Sequence, residues 1–373
     1  MSSNPGTKNE PFASLQNAVD AAKSQGFAAL LVVMSPGNYG GPENIGLTLD
    51  IEVVITPTES SEQNVVFSCD NAPVALTTSQ GFAVDTTHNV FTRVQFDRCQ
   101  TAVQFNGNLL TRLSFANTDF TNFTRSAVNS TAAQFVSVSY CTFETDYAHN
   151  AIALNVSALD STLAGEFTVL GSDFIGASVN ARNYLSGKVT QVSMTNVFST
   201  ESPMNVVNQG DGRWYITSFT ANNCMSSKNG GALQLKFLDV VYVVKSVFSN
   251  CFAANGGAIS ASTNLGVVGC EFNMCQANNL GGAIYVNGGE YFFESSTFTA
   301  CKAQYGGGID LEGNILESGY TGLIFTDNFA NNGTSISCCK SSRNCELRSV
   351  DEFQITSIGG QGGSAVDCGK LQN

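Results

Sequence analysis

Short apolar stretches alternate with polar corners rich in Gly, Asn, Ser and Thr along most of the chain, and one apolar position returns at a nearly fixed interval. It is held by Phe96, Phe120, Phe143, Phe174, Phe198, Phe219, Phe248, Phe272, Phe298 and Phe325, with steps of 24, 23, 31, 24, 21, 29, 24, 26 and 27 residues. A period in that range marks a repeat architecture in which one supersecondary unit stacks on the next. A second signature runs beside the first near the C-terminal end. It reads Gly-Gly-Ala-Leu at Gly230 to Leu233, Gly-Gly-Ala-Ile at Gly256 to Ile259 and at Gly281 to Ile284, and Gly-Gly-Gly-Ile at Gly306 to Ile309. Each coil is predicted to hold two or three short strands, every strand pairing in parallel with its equivalents about 4.8 Å above and below. The phenylalanines and the Leu or Ile of each glycine element point inward. The paired glycines sit at a corner, where the chain needs backbone angles other residues avoid, and Asn229 and Asn255 just before two of them tolerate the same geometry.

The ends read differently. Pro11 to Gln25 predicts a short amphipathic helix with Phe12, Leu15, Val19 and Ala22 on one face, ended by Gly26. Such a helix would cover the open apolar end of the stack and its unpaired strand edge. Phe27 to Met34 reads as a buried strand, followed by β-rich stretches at Leu47 to Ile55 and Asn64 to Cys69. After Phe325 the pattern loosens into a Cys-rich end and the glycine run Gly359 to Gly363, read as a flexible cap loop. The predicted organisation is a single domain: a cap over residues 1–26, coils over 27–336 and a second cap over 337–373.

Composition narrows this to an all-β solenoid. Only 13% of the 373 residues are charged, and the long Ala-, Leu-, Glu- and Lys-rich stretches of helical repeats are absent. A net charge of −13 argues against nucleic acid, whose phosphates need Lys and Arg to displace their counterions. It equally disfavours anionic membranes and uronate polymers unless a cation bridges them. No segment approaches the 18 or more apolar residues of a membrane span, and Met1 to Glu10 is hydrophilic, without signal-peptide character.

Twelve cysteines exceed what a cytosolic protein of this size usually carries. Four of them, Cys338, Cys339, Cys345 and Cys368, predict a disulfide-stapled cap and an oxidising compartment. Free thiols throughout that end would instead point to a cytosolic or viral protein. Cys99, Cys251, Cys275 and Cys301 each fall three residues after a ladder phenylalanine, and Cys224 falls five after Phe219. Cys224, Cys251, Cys275 and Cys301 therefore predict a column of small buried thiols, with disulfides between adjacent coils as the alternative. Sequons at Asn122, Asn129, Asn155 and Asn332 permit glycosylation without arguing for it.

The opening Leu15-Gln16-Asn17-Ala18-Val19-Asp20-Ala21-Ala22, followed by Val33-Met34-Ser35-Pro36-Gly37-Asn38-Tyr39, resembles the capping helix and first turn of pectate-lyase-like right-handed β-helices. The Gly-Gly-Ala-Ile elements, with Phe-x-x-Asn at Phe219 to Asn222 and at Phe325 to Asn328, resemble the repeats of polymorphic outer membrane proteins, which are β-helical surface adhesins. The first resemblance covers most of the chain and the second about residues 219 to 340; no outer-membrane barrel follows. Together they imply a right-handed parallel β-helix of about ten or more coils, with either a surface adhesive role or a carbohydrate-directed activity.

Motifs of the carbohydrate-active β-helices are present only as fragments. Of the polygalacturonase set, Asn117-Thr118-Asp119 occurs, but no Asp-Asp, Gly-His-Gly or Arg-x-Lys. Gln100-Thr101-Ala102-Val103, Asp173-Phe174-Ile175-Gly176 and Gly212-Arg213-Trp214 follow the order of the pectin methylesterase stabilising Gln, nucleophilic Asp and binding Arg. The Gln-Asp-Thr that supplies that family's acid is missing. Its nearest stand-in is Asp119, which precedes its phenylalanine as Asp173 does and would lie two coils away, about 9.6 Å. That separation is at the outer limit for an inverting glycosidase pair. Pectate lyases need several carboxylates around Ca²⁺ and an Arg base, and no Arg sits near such a cluster. His88 and His149 lack metal-ligand spacing; Cys141 with His149 is the remaining nucleophile–base pairing. Gly359-Gly360-Gln361-Gly362-Gly363 departs from a Ca²⁺-binding nonapeptide at Ser364.

The expected function is therefore non-catalytic: an extracellular or surface structural or adhesive β-helix, able to self-assemble, with no catalytic residue, cofactor or metal assigned. Its partners would be itself, another protein or a glycan, met through exposed sheet faces. The competing class is a secreted carbohydrate esterase, lyase or glycosidase. The two are told apart by whether a cleft holds two or more carboxylates and an Arg within reach of one another.

Overall fold

The computed structural model describes residues 11–58, 64–85, 93–107, 111–146, 150–159, 165–209, 212–312, 319–338, 355–362 and 366–367. Apart from one helix, its regular elements are strands paired in parallel with their equivalents in neighbouring coils, so the chain is a parallel β-helix. Compact packing divides it into two units, Met1–Ala177 and Ser178–Asn373, each built from the same kind of coil.

In the first unit the helix spans Leu15–Ser24, with Ser14 as its N-cap and Leu15, Ala18, Val19 and Ala22 buried. Phe12, expected on that face, lies before the helix and is only half-buried. The strand Ala29–Met34 follows and pairs with Glu52–Pro57. It was expected to be buried, but its alternation leaves Leu31 and Val33 outward and exposed, with Phe27 just before it. From there the inward column runs Phe67, Phe96, Phe120, Phe143 and Phe174, paired residue for residue. Its rings stack with centroids 4.9, 5.3, 4.8 and 4.8 Å apart. Phe67 is a member that the sequence period did not reach.

In the second unit the column runs Met194, Ala221, Phe248, Phe272, Phe298 and Phe325. Two phenylalanines of the sequence ladder are thus out of register. Phe198 lies on a separate short strand, paired with Met225 and half-buried. Phe219 lies two residues before the column position, in the next inward place, where its ring leans on Phe248 at 5.8 Å. Size explains the exchange: Ala221 leaves room that Phe219 fills from beside it.

The frame is fixed by corners more than by phenylalanines. Left-handed residues recur three places before and two places after the column position: Gln191 and Asn196 around Met194, Ser218 and Asn223 around Ala221, Lys245 and Asn250 around Phe248. Only some are Asn or Gly. Met274 and Ala300 hold φ of 50° and 52°, a conformation costing roughly 1–2 kcal/mol in a non-glycine residue, which persists because the stacked strands on either side determine it.

The glycine pairs divide their work. The first of each, at Gly230, Gly256, Gly281 and Gly306, has φ between 60° and 70°. The second needs no unusual angle; a Cβ at Gly231, Gly257 or Gly282 would run into the carbonyl oxygen of Gly257, Gly282 or Gly307 in the next coil. Gly333 repeats the left-handed corner with φ of 61°, a degenerate fifth copy ending at Ile336, which pairs with Ile309.

Coil register also continues past residue 336. Ile355–Ile358 pairs with Leu323–Thr326, Gln361–Gly362 with Phe329–Ala330, and Val366–Asp367 with Ile336–Ser337. The glycine run is not a loose cap loop there, since Gly359 turns the corner between two paired strands. Cys338 is disulfide-bonded; Cys339, Cys345 and Cys368 lie outside the described residues.

Candidate functional site

The enzyme-like fragments lead to the outer face of the phenylalanine-bearing strands in the first unit. Alternation sends Phe120 inward and Asp119 and Thr121 outward. Register then lines up Gln95, Asp119, Thr142 and Asp173 in one outward column, and Asp97, Thr121 and Glu144 in the next. Asp119 and Asp173 therefore share a column, two coils apart with Thr142 between them, as their spacing implied. At about 9.6 Å they are too far apart for the roughly 5–5.5 Å of a nucleophile and its acid.

The carboxylates nearest the middle of this face are already engaged. Arg93 Nη2 lies 2.8 Å from Asp119 Oδ1 and also donates to the Tyr140 carbonyl at 2.9 Å. The Asp119 side chain is 18% exposed. Burial pushes its carboxyl above the ordinary range, against the pull of the Arg93 guanidinium and of Thr142. Asp97 has the opposite balance. Burial would raise it, but donation from Asn122 (3.0 Å), Arg98 (2.9 Å) and Thr121 (2.9 Å) outweighs that and holds it below the ordinary range. Arg98 reaches Asp70 as well, at 3.2 Å. Glu144 and Asp173 remain exposed at the rim. Two arginines and three carboxylates do come together here, but Arg93 closes on Asp119 and Arg98 on Asp97 and Asp70. Arg93, Asp97 and Arg98 were not singled out from the sequence, and only the coil register shows that they meet.

The other fragments have local explanations. Asn117 is a left-handed corner with φ of 44°, and the Thr118 hydroxyl donates to the Ala116 carbonyl at 3.0 Å in the interior. Only Asp119 of that tripeptide faces out. Gln100 sits at another corner, its amide donating to the Asn71 carbonyl at 3.2 Å. Arg213, in the second unit, is ion-paired with Asp239 at 3.3 Å, while its neighbour Trp214 is buried with its indole N–H donating to the Tyr184 carbonyl. Cys141 is fully buried, donates to the Phe115 and Ser139 carbonyls, and is pushed by burial up to about 12. A thiol so placed is no nucleophile. His88 and His149 lie outside the described residues. Among the described residues no group of His, Cys, Asp and Glu is arranged to hold a metal ion, and no helix is long and apolar enough to cross a membrane.

The cysteine column is real, and the structure shows what it does. Cys224, Cys251, Cys275 and Cys301 are buried and free, each three residues after the column position. Each Sγ faces the carbonyl of the column residue one coil earlier: Met194 (3.5 Å), Ala221 (4.0 Å), Phe248 (3.6 Å) and Phe272 (3.7 Å). At the next coil Asn328 takes the same place, its side-chain amide donating to the Phe298 carbonyl at 2.9 Å. The thiols act as small apolar residues that keep a weak donor for a corner carbonyl. Burial, and the Cys275 thiol beside it, push Cys301 well up. A bridge between neighbouring coils does join Cys69 and Cys99 in the first unit, with Cα atoms 4.9 Å apart, besides the one that holds Cys338.

No family model and no curated protein matches this chain. Among solved structures, tailspike protein 3 of bacteriophage CBA120 is similar with a TM-score of 0.40 and 11% identity, over 96% of this chain and 60% of the tailspike. The chain thus spans less than two thirds of that protein's length. The A-module of the Azotobacter vinelandii mannuronan C-5 epimerase AlgE6 is similar with a TM-score of 0.31 and 11% identity, over 96% of this chain and 95% of the module. Neither likeness reaches the level of individual residues, and no chemistry follows from it.

Proposed function

We propose that this chain is a non-catalytic extracellular or surface β-helix with a structural or adhesive role, presenting its sheet faces to partners that include copies of itself. The observation that carries the reading is the closed arrangement around Asp119. Arg93 is ion-paired with Asp119, an outward carboxyl that burial raises above its ordinary range, so that group is held by a neighbour. The second carboxylate of its column is two coils away. General acid–base work needs a group free to reach a substrate proton. The disulfide Cys69–Cys99 supports an oxidising compartment.

The test is a screen of purified protein against pectins, polygalacturonate and acetylated glycans, with and without Ca²⁺. No turnover above background is expected. The decisive comparison is the double change Asp119→Asn with Asp173→Asn, which keeps shape and removes both carboxylates. Turnover in the native chain that disappears in this variant would establish the competing reading, a secreted carbohydrate-active enzyme.

A further inference from the structure

The second unit carries an exposed aromatic column on a different sheet face. Lys188, Tyr215, Tyr242, Gly266 and Phe292 follow one another in register on successive coils. Tyr215 is 50% exposed, Tyr242 38% and Phe292 39%, although all three sit on strands whose alternate residues are core. The two tyrosine rings lie nearly parallel, 5.6 Å apart. Gly266 is the notch that seats the second of them: a Cβ there would come within 2.6 Å of Tyr242 Cδ1, so the ring lies over the glycine backbone. Aromatic rings held outward on a rigid sheet are costly to leave in water and mark a binding surface.

We infer that this column binds an uncharged, extended glycan chain. Three part-exposed rings in single file are narrower than the roughly 800 Å² per partner of a stable protein interface. They match a ligand that is itself a narrow strip, and a pyranose offers both an apolar C–H face for the rings and a rim of hydroxyls. The frame supplies polar partners for that rim. Asn264 is two residues before Gly266, Thr217 two after Tyr215, and Glu290 and Glu294 flank Phe292. Charge selects against polyanions. Arg213 is neutralised by Asp239, and Glu290 and Glu294 flank Phe292 at one end of the column while Lys188 lies four coils away at the other, in a protein of net charge −13. The step from Tyr242 over Gly266 to Phe292 is two coils, about 9.6 Å, and the Tyr242 ring itself covers the intervening glycine, so sugars of an extended chain can sit on the tyrosines and on Phe292. The inference rests on the non-catalytic reading only in that the chain is bound and released unchanged.

The full chain is tested on an array of neutral hexose and N-acetylhexosamine oligosaccharides with equatorial linkages, with polygalacturonate as the charged probe. The best neutral probe is then titrated by calorimetry. Neutral probes should bind and polygalacturonate should not. Tyr242→Ala and Phe292→Ala should each weaken binding tenfold or more. Gly266→Ala keeps every ring but displaces Tyr242, and should weaken binding severalfold with an unchanged circular dichroism spectrum. Phe237→Ala, an exposed ring off this column, should change nothing. Absence of binding to every neutral probe, preference for polygalacturonate, or wild-type affinity in the Tyr242 and Phe292 variants overturns the inference. Product analysis separates it from the preceding reading: a probe bound and cleaved sinks the non-catalytic assignment while the column stands, and a probe neither bound nor cleaved sinks the column alone.

Discussion

Replacing Phe272 by Ala probes what holds the coils together. The ring is buried and sandwiched between Phe248 and Phe298, with centroids 5.0 and 4.8 Å away and planes within 4° of parallel on both sides. Truncation of a buried Phe costs about 3–5 kcal/mol. The upper half of that range applies here, because the strands above and below are hydrogen-bonded at the coil spacing and cannot collapse into the void. Each aromatic pair adds roughly 0.5–1.5 kcal/mol beyond area burial, which gives an internal control. Phe325 has one stacked ring, Phe298, and is followed in register by Ser357. Phe325→Ala should therefore cost less than Phe272→Ala by about one such pair. Phe272→Leu keeps most of the apolar volume, loses both stacks, and should fall between native and Ala. Guanidinium unfolding followed by far-ultraviolet circular dichroism and by Trp214 fluorescence measures all three, with coincident transitions required before free energies are compared. A cost below about 1 kcal/mol for Phe272→Ala, or equal costs at positions 272 and 325, would refute the reasoning.

Three further outcomes follow from the same geometry. Ala221→Phe should overpack the coil and cost about 1–3 kcal/mol, and adding Phe219→Ala should recover most of it, because the two positions share one space; failure of the second change to rescue, read by thermal unfolding, contradicts that pairing. Asp97→Asn should cost about 1–2 kcal/mol at pH 7, since hydrogen bonds to a charged group are worth roughly 1.5–3 kcal/mol each and Asn keeps some of them. Asp97 is depressed in the folded state, so its stabilisation is present above the unfolded value near 3.9 and is lost as pH falls through the folded one; Asp119 is raised and has the opposite slope, but cancels in the difference between native and variant, which should shrink towards acid pH. Finally, maleimide should leave Cys141, Cys224, Cys251, Cys270, Cys275 and Cys301 unlabelled in the native chain and label them after unfolding, with Cys69 and Cys99 reacting only after reduction; rapid native labelling of Cys275 would show that the column is not interior.

The sequence made the coil legible because a solenoid repeats its demands. A phenylalanine that stacks on its own image must recur once per coil, and a corner with no room for a Cβ must be glycine each time. Where the period misled at Phe219, two residues had exchanged roles within one coil. Phe219 and Ala221 together fill the volume that Phe248 fills with its partner position, and a ladder traced on phenylalanine alone follows the ring to the wrong place. The corners hid for a different reason: stacking fixes their left-handed geometry so firmly that Met274 and Ala300 occupy it. The strand Ala29–Met34 reads as core by composition, yet among the described residues it pairs with Glu52–Pro57 alone and turns half its side chains outward.

Function was less legible because a β-helix face is assembled across coils, from residues some 25 positions apart in sequence that meet only through register. Arg93 and Asp119 are 26 residues apart in the chain and 2.8 Å apart in the structure. Nothing local to either residue announces the pair, whereas Asn117-Thr118-Asp119 announces a tripeptide that the fold then pulls apart. Its Asn turns a corner, its Thr points inward and only its Asp faces out. The same logic governs Tyr215, Tyr242 and Phe292. Each alone is an ordinary aromatic residue in a strand, and the fact that carries information is a glycine, Gly266, at the one intervening position where a side chain would lift Tyr242 off the sheet. For solenoids of this kind a motif read along the chain is weak evidence, and a motif read down a register column is the unit on which a partner can act.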